Sequence, residues 1–298
     1  MSKQLLKYKK IVEQYLPYAK EDLSVFSFVN IFAWKDFFDF DFKMINGNLC
    51  IFAKDALGSF MYLPPLGKNV TEKTIEKCFC YMKSRNGKSR VARIENISEK
   101  FRAILSDKKY SFYHKANEYF YKKEDIMQLR GNAYKSKRSD YNFFIKNYDA
   151  RVLPFKESMA RECLDLYEAW AKERKKISED EIFHQMLEDS RQAHQVLLKN
   201  AEKLGFRGLV VKIKKKIKAY TFGFEINKNV FCVFGEVADL SFKGLPTFIF
   251  KELAQDIRLK KYKFLNVMDD FGLDNITRTK MSFRPALILP MSCVKEKD

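Results

Sequence analysis

Residues 266–285 read NVMDDFGLDNITRTKMSFRP, and the rest of the chain is organised around them. An apolar run ending at Phe264-Leu265 gives way to Asn266, Asp269, Asp270 and Gly272. A helical stretch follows, and Arg284-Pro285 precedes a second apolar run, Ala286 to Leu289. The pattern predicts strand, polar loop, helix and strand. Open α/β sheets place their ligands in loops at such strand ends. Asp269, Asp270 and Asp274 either line a site there or serve only as turn and cap residues.

Working outward, strand Val230–Glu236 leads through Asp239 and Gly244 into a helix, Leu245–Ile257, and on to strand Lys263–Val267. The same order occurs earlier: strand Ser59–Leu63, helix Thr71–Lys83, strand Arg90–Ile94. Ser59–Glu95 and Phe231–Val267 are each 37 residues long. Their equal length predicts a structural duplication, with two α/β units, each a mainly antiparallel sheet flanked by helices. Asn46-Gly47 between Phe40–Ile45 and Leu49–Phe52 predicts a tight hairpin. Residues 3–16 read as one amphipathic helix ended by Pro17. Helices are expected near Ser136–Asn147, Glu157–Lys172, Glu179–Ser190 and Arg191–Leu204. Between the last two and the strand Val230–Glu236 come strands Leu209–Ile213 and Ile217–Glu225.

The chain has 298 residues, 46% of them hydrophobic, with 28 Phe, which is ample for sizeable cores and excludes disorder as a class. Net charge is +18, carried by 42 Lys against 14 Arg. Such an excess either favours polyanionic partners or is a solvated lysine surface. The six cysteines follow no framework and sit among apolar neighbours, as buried free thiols do. His184 and His194 lie on polar helical stretches and read as surface residues. No metal-ligand spacing is present. No run approaches the ~20 apolar residues that span a bilayer, and no signal peptide is evident, so a cytoplasmic location is expected, possible at the membrane periphery.

Asn266, Asp270, Gly272-Leu273, Lys280, Ser282-Phe283 and Arg284-Pro285 together resemble the C-terminal signature of the phosphatidylglycerol lysyltransferase C-terminal-domain family. Leu129, Gly131, Lys137-Arg138, Asn142 and Phe144 are similar to a second segment of that family, and Phe28–Trp34 with Tyr62–Gly67 to a third. The order matches along nearly the whole chain. Val267 and Met268 stand where the family has Arg-Glu, Asn275 where Gly is usual, and Arg278 one position after the family's arginine. The resemblance implies an α+β, tandem GNAT-like fold, with domains 1–125 and 126–298 and the cleft in the second. It also implies kinship with the tRNA-dependent Fem-type aminoacyltransferases.

Aminoacyl transfer from tRNA needs acids for a cationic aminoacyl group and cations for phosphates. Glu236 and Asp270 are the candidate catalytic bases. Arg138, Asn142, Asp239, Asn266, Asp269, Lys280 and Arg284 are the candidate substrate contacts. Lys135, Lys137 and Lys243 are candidates for phosphates, the first two at a helix start where the macrodipole disfavours a cation. Glu236, Asp239, Asp269 and Asp270 are expected to gather at neighbouring strand ends. Tyr141, Phe144 and Ile145 are expected to face the core. Acetyl-CoA is the less favoured donor. The loop Asp239–Pro246 has one Gly, and Pro246 lacks an N–H for a pyrophosphate. No bound cofactor is expected; aminoacyl-tRNA is the expected donor, with tRNA and an anionic lipid headgroup or membrane surface as partners. The alternatives are a CoA-dependent N-acyltransferase and a non-catalytic protein binding tRNA or anionic lipid.

Overall fold

A computed structural model describes residues 2–297. It divides into two compact units. The first takes residues up to Glu118, Asp269–Thr277 and the chain from Ile288 onward; the second takes Tyr119–Met268 and Arg278–Leu287. The division thus begins at 118/119, not 125/126, and it is discontinuous, because two late segments return to the first unit.

Elements are numbered in chain order. The first unit opens with α1 (Ser2–Leu6) and α2 (Lys9–Tyr15), where one helix was expected; Pro17 sits inside the 3-10 turn that follows. In α3 (Phe28–Ala33) every residue is buried, and the Ser27 hydroxyl caps its start by accepting from Val29 N. Strands β1 (Asp39–Ile45) and β2 (Asn48–Lys54) form the expected hairpin. Asn46 and Gly47 both take positive φ, 51° and 76°, as a two-residue turn of this hand requires. Then come β3 (Ser59–Met61), α4 (Glu72–Asn86), β4 (Ile94–Ile97) and α5 (Glu99–Arg102). Strand β5 (Tyr110–Lys122) belongs to this unit through Glu118 and to the second unit beyond it. The last strand, β11 (Leu287–Glu296), lies beside β4, so the order here is β1-β2-β3-β4-β11. Helix α4 covers one face through Ile75, Cys78, Phe79 and Met82, packed on Phe52, Met61, Ile94 and Val294.

The second unit contains α6 (Lys123–Gln128), α7 (Lys135–Asn147), β6 (Ala150–Pro154), α8 (Ala160–Lys175), α9 (Glu181–Leu198) and α10 (Ala201–Leu204). Nothing in the sequence breaks the helix between Ser190 and Arg191, and the two helices expected there are α9 with α10 after it. Strands β7 (Arg207–Ile213), β8 (Lys216–Glu225) and β9 (Val230–Ala238), helix α11 (Leu245–Gln255), strand β10 (Phe264–Asp269) through Met268, and helix α12 (Asp274–Met281) from Arg278 onward complete it; Asp269 and the first half of α12 belong to the first unit. Its strand order is β10-β9-β8-β7-β6.

The two equal segments are the same motif. In the first, α4 joins β3 to a parallel β4; in the second, α11 joins β9 to a parallel β10. The pairs β1–β2, β2–β3 and β4–β11 in the first unit and β6–β7, β7–β8 and β8–β9 in the second are antiparallel.

Several side chains lie elsewhere than expected. His194 is buried, its Nδ1 2.8 Å from the Tyr220 hydroxyl, and Gly235 leaves it room: a Cβ there would stand 2.7 Å from Nε2. A polar helix face reads as surface only until aromatic neighbours cover it. Cys80 is exposed, whereas the other five cysteines are buried. Ile145 is exposed too, because Tyr148 and Phe248 complete the core around Phe144 without it.

Helix α11 starts at Gly244, whose φ is 85° and whose missing Cβ would stand 2.1 Å from the Asp140 carbonyl oxygen of α7. Only glycine satisfies both conditions. Gly244→Ala should therefore destabilise the protein by at least about 2 kcal/mol, above the cost of left-handed backbone alone. Urea denaturation checks this; a midpoint equal to the parent's would refute the contact.

Candidate functional site

The second unit carries a recessed carboxylate. Strand β9 gains an extra residue, because Phe222 pairs with Gly235 while Gly223 pairs with Val233. Phe234 is the bulged residue, and Glu236 follows two positions on; bulges of this kind often stand beside active sites. Solvent still reaches Glu236, yet protein surrounds it closely, as at the bottom of a recess. Burial pushes its carboxyl up to about 8, against the opposing pull of the Lys137 ammonium. Lys137 answers in kind: burial lowers its ammonium, while Asp140 and Glu236 hold it up. Its Nζ stands 3.9 Å from the centre of the Phe283 ring.

Directly across the strand pair from Glu236 is Thr221. Opposite residues of an antiparallel pair share a face. The Thr221 hydroxyl is fully buried and has no hydrogen-bond partner among the described residues. Leaving a buried hydroxyl unpaired costs about 1–3 kcal/mol, and this one lies beside the raised carboxyl of Glu236. Sequence periodicity did not single out Thr221, since a threonine in a strand is ordinary until its partners are known. Tyr121 and Tyr134 add phenols on the same unit, both raised by burial.

Three expected contacts are committed to backbone. The Arg138 guanidinium donates to the Leu129 and Gly131 carbonyls, which fixes the turn between α6 and α7. Lys280 Nζ donates to the carbonyls of Val267 and Met268 and lies over the Tyr119 ring. Asn266 is fully buried, and its Oδ1 accepts from Met268 N at 2.7 Å. Asp239 is likewise engaged. Although burial opposes it, bonds from Ser241 and from Lys218 Nζ, 2.9 Å away, hold its carboxyl below the usual range.

Asn142, Lys135, Lys243 and Arg284 are exposed, and Lys243 lies over the Phe143 ring. Arg284 keeps a positive φ of 56°.

Asp269 and Asp270 belong to the first unit. Asp270 is buried; its Oδ1 accepts from Gly272 N and its Oδ2 from the Thr277 hydroxyl, each at 3.1 Å. Asp269 accepts from Phe271 N. These are loop-closing bonds. In the same unit Glu118 is fully buried and accepts from both the backbone N and the hydroxyl of Ser24. Buried Tyr62 donates to Asn30, its phenol raised by burial and by the nearby charges of Glu95, Asp269 and Glu118. Glu95 is bound by Arg93 and Lys115. Sequence inspection missed Glu118, which precedes the aromatic run Tyr119–Tyr121 in β5 with no motif around it. Among the described residues no group of His, Cys, Asp and Glu is arranged to hold a metal ion.

Comparison with curated proteins finds no match. The chain is similar to a conserved protein of unknown function from Bacteroides thetaiotaomicron, at 25% identity over 98% of this chain and 97% of that one, with a TM-score of 0.84. It shares its fold with L-PGS from Bacillus licheniformis (TM-score 0.59, 16% identity, covering 87% and 85%) and with FemX (0.62, 8%, covering 94% and 95%). The fold is thus the GNAT-like tandem that the resemblance implied. The family model described as phosphatidylglycerol lysyltransferase, C-terminal, matches residues 18–295, and the chain belongs to that family.

Proposed function

We propose that the chain is an aminoacyl transferase that takes its aminoacyl group from tRNA and passes it to a lipid headgroup or another small acceptor, from the cytoplasmic side where charged tRNA is found. The reading rests on the recess of the second unit, with a carboxyl raised to about 8 and an unpaired buried hydroxyl opposite it. The acceptor oxygen or nitrogen attacks the ester carbonyl, the new acyl bond forms, and the bond to the ribose oxygen breaks. Glu236 takes the proton from the acceptor and returns it to the departing ribose oxygen. A base whose pKa lies near working pH suits that double role. The ester is already activated, so holding the two reactants together supplies much of the rate. Thr221 is assigned a hydrogen bond to the bound aminoacyl group.

The remaining candidates take supporting roles in this reading. Arg138, Asn266 and Lys280 shape the walls, and Asp269 and Asp270 close the loop after β10; none of these five is the base. Asp239 keeps its contact with Lys218. Asn142, Lys135, Lys137, Lys243 and Arg284 remain the candidates for contact with the tRNA and its phosphates.

Acetyl-CoA is disfavoured as donor by the start of α11. A pyrophosphate at a helix N-terminus needs free N–H groups and close backbone approach. Here the Asp140 carbonyl already stands against Gly244, and Pro246 lies in the first helical turn.

The deciding experiment incubates the protein with charged tRNAs and candidate acceptors, phosphatidylglycerol vesicles among them, and follows loss of the aminoacyl ester. Transfer should appear, and Glu236→Gln should lower it at least about a hundredfold. kcat/KM should rise with pH toward a plateau, with its midpoint near 8. Tight tRNA binding without transfer to any acceptor would favour the non-catalytic alternative.

The same carboxyl links stability to pH. From its ordinary value of 4.5 up to about 8, the folded chain holds a proton that the unfolded chain releases. Stability contributed by this group is therefore complete below 4.5 and declines across that window. Glu236→Gln should gain stability relative to the parent as pH rises, measured by denaturant midpoints; parallel curves would place the carboxyl in ordinary solvent.

Isothermal titration with acetyl-CoA should show nothing tighter than about millimolar, some 4 kcal/mol. Micromolar binding would bring the N-acyltransferase reading forward.

A further inference from the structure

A different surface of the second unit joins exposed apolar side chains to unpaired lysines. The β7–β8 hairpin turns in two residues, Lys214 and Lys215, between Ile213 and its partner Lys216. Both lysines take positive φ, 49° and 68°. The equivalent turn in the first unit uses Asn46-Gly47, the residues that tolerate this conformation. Two lysines in these positions are disfavoured by the backbone, which implies a use for their charge. Lys212 and Lys218, on either side of the turn, are paired with Glu162 and Asp239. Lys214, Lys215 and Lys216 are exposed, and no ion pair among the described residues engages them.

Apolar groups adjoin this tip. Ile213 pairs with Ala150, which closes the segment after α7. There the Tyr148 ring meets both Phe143 and Phe242. Ile145 is 52% exposed, Leu240 51% and Phe143 37%. An open cleft of about 470 Å³ runs along Phe144–Ala150 and Phe248, with Asp149 as its acidic group. Lys243 reaches over Phe143, and Lys146 is exposed beside it.

We propose that this end of the second unit docks on an anionic lipid surface. Phe143, Ile145 and Leu240 enter the headgroup boundary, and Lys214, Lys215 and Lys216 meet the lipid phosphates. Exposed aliphatic side chains favour lipid over RNA. Acyl chains receive them, whereas single-stranded bases stack on aromatic platforms. No helix among the described residues is long and apolar enough to cross a membrane, so the contact is peripheral. The inference is independent of the transferase reading, since a non-catalytic chain would dock in the same way.

The test is vesicle flotation of the full chain with phosphatidylcholine alone and with a phosphatidylcholine–phosphatidylglycerol mixture. Binding is expected on the mixture and not on phosphatidylcholine. Changing Lys214, Lys215 and Lys216 together to Gln should weaken it roughly a hundredfold, at about 1 kcal/mol for each lysine near an anionic surface. Ile145→Ser with Leu240→Ser should leave binding at low salt and abolish it at high salt. Lys214→Asn with Lys215→Gly guards against misfolding, because it installs the unstrained turn; it should melt no lower than the parent and still weaken binding roughly thirtyfold. Equal flotation on both vesicle types, no flotation on the mixture, or variants that bind like the parent would overturn the proposal. So would loss of tRNA binding in the triple variant with lipid binding unchanged, which would make the surface an RNA contact.

Discussion

The end of β10 depends on a buried carboxamide. Asn266 has no exposure, and its oxygen takes the Met268 N–H just as the chain turns into a left-handed conformation, φ 61°. A side chain without that acceptor would leave a partly buried N–H unpaired, a loss of up to about 1–3 kcal/mol. Lys280 comes back along α12 to bond the carbonyls of Val267 and Met268. Tyr121 in turn donates to the carbonyl of Lys280. Strand end, helix and β5 are thereby fixed to one another within the second unit. An ammonium that looked available for substrate is instead a cross-brace.

Glu236 illustrates the opposite arrangement. Among the described residues no cage of hydrogen-bond donors surrounds it, and only the partly desolvated Lys137 moderates its charge. Desolvation therefore dominates, and the carboxyl keeps its proton near neutrality. Compare Glu95 in the first unit, also burdened by burial, which Lys115 and Arg93 hold below the usual range. Two carboxylates of one chain thus diverge according to whether bonded cations outweigh the loss of water. Glu95 behaves as a structural ion pair does, whereas Glu236 lacks the cations that would hold its proton off.

The motifs of the fold were legible because they rest on short-range rules. Asn46-Gly47 announced its hairpin, and the paired strand–helix–strand segments announced the duplication, down to equal length. Glu236 drew notice in the sequence through its position at the end of a strand, but its desolvation did not show there. What stayed hidden depends on partners distant in sequence. Arg138 and Lys280 read as ligand-binding cations because their carbonyl partners have no signature in the sequence. His194 read as surface because Tyr220 and Tyr167, which enclose it, lie 26 and 27 positions away. Thr221 became notable only when every neighbour had been placed. The same holds for the division of the chain, since nothing local marks 269–277 and 288–297 as belonging with the first hundred residues.

That discontinuity bears on how the protein is made. Strand β11 pairs with β4 through Ser292 opposite Ile97 and Val294 opposite Ile94, and Val294 is part of the first unit's core. These partners are separated by nearly two hundred residues of chain. On a ribosome, the first unit emerges early with one edge of β4 still bare, and it must hold that edge while the entire second unit is synthesised. Domains usually fold as units in order of emergence. Here the earlier one is completed last, so its nascent form presents an unpaired strand edge to chaperones, and a chain ended between residue 118 and the start of β11 has a first unit without its closing strand.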